Sequence, residues 1–132
     1  MRDPKGPTYL RNRRLQAKML AFLLPAEEDE LLERVKSAKT GRAGRTLVKE
    51  GPLRVTCAAL ARGTTLPSHH VVGPVTIQVL RGYLRVTTDA GELDVPRGGL
   101  IVLEGGLSHQ HAAIEDSVVL ITLSMPSPAP GS

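Results

Sequence analysis

The four histidines of this 132-residue chain fall into two tight groups, His69 with His70 and His109 with His111. Imidazole titrates near neutral pH and is the commonest metal ligand, so two such groups point to metal coordination or to polar contacts with a small ligand. On a β-strand, successive side chains alternate between faces. His109 and His111 then share a face, and Gln110 takes the other. His69 and His70 point to opposite faces, so at most one of them reaches a shared interior site. His69, His109 and His111 together make a three-imidazole set, which zinc, iron, nickel, manganese or copper would accept. Ser68 and Ser108 each precede a histidine, but neighbouring strand residues diverge, which argues against a Ser–His dyad. The "RGG" and "EGG" stretches at 97–99 and 104–106 lack the strand–loop–helix context of a phosphate loop.

Positioning these groups requires strands, and the sequence supplies them. From residue 45 onward, short β-rich runs alternate with Gly/Pro punctuation: "RTLVK", "LRVTCAALA", "VTIQVLR", "YLRVTT", "GELDV", "GLIVL", "HQHAAI" and "SVVLITLS". The breaks include "EGP", "RGTTLP", "VGP", "DAG", "PRGG" and "EGG". This spacing predicts an all-β sandwich or barrel. One helix precedes it, predicted over 26–38. Acidic residues fill its first turn (Glu27, Glu28, Asp29, Glu30) and basic ones its last, which complements the helix dipole.

Charge is unevenly spread. Residues 1–18 hold six Lys/Arg against the single acid Asp3, leaving 11 basic and 12 acidic residues in the remainder. The net charge of +4 therefore belongs to an N-terminal arm, read as a solvated tail. With three aromatics in all (Tyr9, Phe22, Tyr83), stacking residues are too few to suggest nucleic-acid binding. The domain reading is a basic arm over 1–24, a helix and linker over 25–43, the β domain over 44–124 and a disordered tail over 125–132. Met19 is an alternative start, which would set the basic stretch outside the native chain.

Hydrophobic residues make up 41% and charged residues 23%, the balance of a globular domain. The apolar run Met19–Leu24 is shorter than a secretory signal core and has no small-residue cleavage site after it. No stretch approaches the ~20 apolar residues of a membrane span. The lone cysteine, Cys57, lies in "VTCAALA" and reads as a small buried hydrophobe in a reducing compartment. A cytoplasmic location is the expectation.

Two stretches carry a family resemblance. In the first, Gly63 is followed after five residues by His69, then by Val71, Val75 and Gly82 in "VLRGYLRV". In the second, Gly98 leads to Glu104, Gly106, His109 and Ala113. These spacings resemble the two motifs of the small single-domain cupins, over about 80 residues from Gly44 to Ser124. The resemblance implies a double-stranded β-helix, the jelly-roll barrel, behind a short helical segment. It also shows a degenerate metal motif. Val71 stands where the family has a second histidine, Val75 where it has a glutamate, and Ala113 where it has an asparagine. His69 and His109 are retained, and His111 offers a third imidazole on the right face.

Two functions follow as expectations. One is a ligand-binding or sensing cupin, its pocket lined by His69, Val71, Val75, Ile77, Val79, His109 and His111, which suits a small, partly apolar molecule. The other is a metal-dependent enzyme of the oxygenase or isomerase type, with a divalent transition metal on His69, His109 and His111. The resemblance also implies a homodimer. The apolar "MLAFLL" segment ahead of the barrel needs a surface to cover it, and a partner's sheet would provide one.

Overall fold

The computed structural model describes residues 19–70 and 72–125, with only the backbone for 67–70. The basic arm up to residue 18, Val71 and the tail beyond Met125 lie outside the described residues. Helix α1 spans Leu24–Val35. Pro25 lies in its first turn, where a helix leaves its N–H groups without internal partners and a fixed φ is an advantage. This moves the start two residues ahead of the predicted one. The end comes early as well. The backbone N–H groups of Lys36, Ser37 and Ala38 donate to the carbonyls of Glu33, Arg34 and Val35, tightening the chain out of the α conformation.

Among the described residues nine strands follow: β1 (Arg42–Glu50), β2 (Leu53–Leu60), β3 (Thr65–His70), β4 (Val75–Arg81), β5 (Tyr83–Thr88), β6 (Gly91–Pro96), β7 (Leu100–Leu103), β8 (Ser108–Ala113) and β9 (Ser117–Ser124). They form a five-stranded sheet ordered β1-β2-β9-β4-β7 and a four-stranded sheet ordered β3-β8-β5-β6. Every pairing is antiparallel. One predicted break contains the start of a strand. "RGTTLP" is no simple loop, because β3 starts within it at Thr65 and runs through Pro67. Among the described residues β3 pairs only with β8 and lies at a sheet edge, where a proline's missing N–H breaks no interior ladder.

Alternation sorts the larger sheet into two apolar faces. Inward, Val75, Ile77 and Val79 of β4 and Val119 of β9 meet Leu84, Val86, Val95 and Ala113 of the other sheet, forming the core between the layers. Outward, Cys57, Ala59 and Val118 meet Leu31 and Val35 of α1, forming a second core under the helix. Helix α1 lies across β1, β2 and β9. Burying side chains such as Leu31 and Ile77 contributes roughly 1.5–3 kcal/mol each.

The acidic first turn of α1 does more than complement its dipole. Arg45 of β1 donates to Glu27 at 3.1 Å and forks onto Glu30 at 3.0 and 3.1 Å. Arg81, at the end of β4, donates to Glu28 at 2.6 Å and Asp29 at 2.7 Å. Four carboxylates that are consecutive in sequence thus clamp the helix to two strands of one sheet. The Glu27 side chain is fully buried, and its contact with Arg45 offsets part of the cost of placing a carboxyl group there.

Gly82 shows why one motif position has to be glycine. Its φ is +87°, and a Cβ there would run into the Ser117 hydroxyl and the Asp116 carbonyl. The tight β4–β5 turn lets the Ser117 hydroxyl reach Tyr83, whose backbone N–H donates to it at 3.1 Å.

Candidate functional site

Strand β8 carries the site. Its burial alternates, with His109, His111 and Ala113 inside and Gln110 exposed. His109 and His111 are 4% and 2% exposed. Their rings stack with centroids 4.8 Å apart and planes inclined by 23°. Strand pairing fixes their surroundings. On β5, Thr88 stands opposite His109, Val86 opposite His111 and Leu84 opposite Ala113. His109 also faces its own loop, with Nδ1 at 3.3 Å from the Leu107 carbonyl. With the proton on Nδ1 donated to that carbonyl, Nε2 is the basic nitrogen of the ring.

On the other flank of β8, the backbone of β3 sets Leu66 opposite His111 and His69 opposite His109. The register shifts between those two pairs. Regular pairing onward from Leu66 would have put Ser68 opposite His109. One extra residue in β3, a β-bulge, puts His69 there instead. The side chain of His69 lies outside the described residues, as does Val71.

The remaining residues picked from sequence lie on β4. Val75, Ile77 and Val79 are 3%, 0% and 0% exposed and belong to the core between the sheets. They run in a line away from the loop that joins β3 to β4. Val75 is therefore at the same end of the barrel as His109, and Val79 at the far end. Two grooves have described walls. One, of about 370 Å³, lies between β6 and β7 and is lined by Val86, Thr88, Leu93, Ile101, Leu103 and Leu107 among others. The other, of about 350 Å³, lies at Thr40, Arg42, Ala43, Gly44, Ala58 and Leu66. The described members of the predicted pocket line neither groove. Sequence reading missed the first groove because its walls come from the ends of β5, β6 and β7. The alternation of "GLIVL" shows which residues face in, but not that β6 and β7 stand apart.

A metal would need more than these groups supply. Among the described residues, no three His, Cys, Asp or Glu side chains come together in a way that could hold an ion. The two imidazoles are also set wrongly for one ion. An imidazole binds through a lone pair in its ring plane, and these two planes are stacked and inclined by only 23°. One ring would have to turn. The described residues therefore do not by themselves fit a metal centre.

Cys57 is no second site. It is fully buried beneath α1, and burial, reinforced by Glu27 and Glu28, pushes its thiol up to about 12. It stays protonated and unreactive at neutral pH.

No family model matches the chain, and no curated protein matches it. Solved structures do. A conserved protein of unknown function from Streptococcus pyogenes superposes with a TM-score of 0.64 at 26% identity, covering 69% of this chain and 80% of that one. A cupin superfamily protein from Desulfitobacterium hafniense superposes at 0.67 and 12% identity, over 86% and 97% of the two chains. Salicylate 1,2-dioxygenase from Pseudoaminobacter salicylatoxidans superposes at 0.71 and 16%, over 93% of this chain and 37% of that one. The chain therefore has the cupin fold: two antiparallel sheets forming a jelly-roll barrel, with one helix on the larger sheet. Among the described residues, no helix is long and apolar enough to cross a membrane.

Proposed function

We propose that this cupin binds a small, partly apolar ligand at the end of the barrel marked by His109, without a metal. The stacked, buried pair His109–His111 in aliphatic surroundings carries this reading. Imidazoles supply the few oriented polar contacts that such pockets use, and the valine wall supplies the apolar contact area. This reading keeps His69 and Val71 as the pocket residues assigned from sequence. Val75 forms its floor, with Ile77 and Val79 beneath. The test is histidine-selective NMR with benzoate and catechol as probes. Saturable shifts of the His109 and His111 rings, lost in His111→Ala, support the reading. Rings that respond to neither probe overturn it.

The second reading is a metal-dependent enzyme using His69, His109 and His111. The bulge that brings His69 opposite His109 favours it, and one structural neighbour is by name a dioxygenase. Metal analysis of tag-free protein tests it: stoichiometric metal, lost in His109→Ala, would establish this reading over the first. The protein is also proposed to act as a cytoplasmic homodimer. Its single buried cysteine suits a reducing compartment, and its uneven apolar surface suits a dimer.

A further inference from the structure

Among the described residues both sheets are open and have four edge strands: β1 and β7 in one sheet, β3 and β6 in the other. Natural edges are protected against pairing by charges, prolines and bulges. Three of these edges are protected in this way. β1 carries Arg42, Arg45, Lys49 and Glu50 and a bulge between Thr46 and Val48. β3 carries Pro67 and its own bulge. β6 carries Glu92, Asp94 and Pro96. β7 reads "LIVL", with no charge, no proline and a regular register against β4.

Its outward residues are unusually bare for large aliphatics. Leu100 and Val102 are 61% and 65% exposed, and Leu93 of β6, across the groove, is 62% exposed. Helix α1, which shields the same face of this sheet over β1, β2 and β9, leaves β7 uncovered. The strand also has charged ends. Arg97 precedes it and Glu104 follows it, both exposed, and among the described residues neither has an ion-pair partner.

We infer that β7 is the seam of a homodimer, two copies pairing their β7 strands antiparallel about a two-fold axis. The inference rests on the dimer reading above and supplies its surface. Centred on Ile101, the pairing sets Leu100 across from Val102 of the partner subunit. It keeps the exposed aliphatics of both copies on one face and the buried Ile101 and Leu103 on the other. It also brings Arg97 to the end of the strand where Glu104 of the partner subunit lies. A strand positive at one end and negative at the other is complementary to itself only when antiparallel, the geometry a two-fold axis imposes. An unrelated extended peptide would satisfy the edge but has no need of those matched ends. The second copy is therefore the occupant.

The test is sedimentation of the full chain across the micromolar range. Wild type is expected to be a dimer. Val102→Lys, at an exposed position, should raise the dimer dissociation constant by at least about tenfold with an unchanged far-UV spectrum. Leu53→Lys, exposed elsewhere, should leave it unchanged. Arg97→Glu and Glu104→Arg should each weaken the dimer, and the double swap should restore it. A monomeric wild type overturns both the dimer reading and the seam. A dimer indifferent to Val102→Lys overturns the seam alone, and failure of the double swap overturns the antiparallel register.

Discussion

His109 and His111 stack face to face inside the barrel, 4.8 Å between ring centres, on alternate residues of one strand. Strand geometry alone would hold their Cβ atoms on the same side. Both side chains are almost fully buried, between the flanking strands β3 and β5. Replacing His111 by Ala should leave a cavity beside Val86 and Leu66 and cost about 2–4 kcal/mol of stability. Replacement by Leu should cost much less, because the neighbours are aliphatic. Urea unfolding of the two variants checks this. A large loss for His111→Leu would mean that the imidazole's polar contacts, rather than its volume, hold the core.

The Arg45–Glu27 pair is a stronger dependence. The Arg45 side chain is 9% exposed and that of Glu27 fully buried, and Arg45 also holds Glu30. Removing the guanidinium takes a charged hydrogen-bond donor away from a fully buried carboxyl group. Arg45→Met should therefore cost about 3–5 kcal/mol. Adding Glu27→Gln should recover part of that, since an amide is cheaper to bury alone than a charge. Chemical denaturation of the wild type, both single variants and the double variant gives the coupling directly. Additive effects would show that the two side chains do not depend on each other.

Much of the barrel was legible in sequence because antiparallel strands with one buried face write their alternation plainly. "VTIQVLR" and "SVVLITLS" give the inward residues Val75, Ile77, Val79 and Val119 on inspection. The shared face of His109 and His111 follows by the same rule. Strand β3 was hidden by Gly63 and Pro67, which signal a turn unless the strand is known to be an edge. The pairing of His69 with His109 depends on a bulge, and inserting one residue reverses the alternation without leaving a mark in composition. The helix clamp was partly legible. The acids of α1 were visible, but their partners Arg45 and Arg81 lie in strands whose register only the folded chain defines.

Gly82 should tolerate no side chain. Its left-handed φ costs an alanine roughly 1–2 kcal/mol by itself. The added Cβ would also meet the Ser117 hydroxyl and two backbone atoms, the Asp116 carbonyl oxygen and the Ser117 Cα, which cannot swing away. Gly82→Ala is expected to destabilise more than an alanine at Gly51, whose φ is +55° but which has open space around it. Thermal unfolding of the two variants separates the steric part from the conformational part. Equal losses would show that the contact with Ser117 contributes nothing.

Cys57 predicts an alkaline limit to stability. Its thiol ordinarily titrates near 9.0 and is pushed to about 12 in the folded chain, first by burial and then by Glu27 and Glu28. A raised folded-state value means the native state holds the proton more tightly than the unfolded chain. The stabilisation is complete below about pH 9, is lost progressively above it, and is gone by about pH 12. Cys57→Ala should be less stable at pH 7, because a buried sulfur is removed. It should also lose less on going from pH 8 towards pH 11, because the titrating group is gone. Urea midpoints for both proteins across that range test the sign, and parallel pH curves would place the alkaline loss elsewhere. The same burial predicts that a thiol reagent at pH 8 modifies the native protein only as fast as it opens. A fast stoichiometric reaction with folded protein would show that the sheet under α1 is open to solvent.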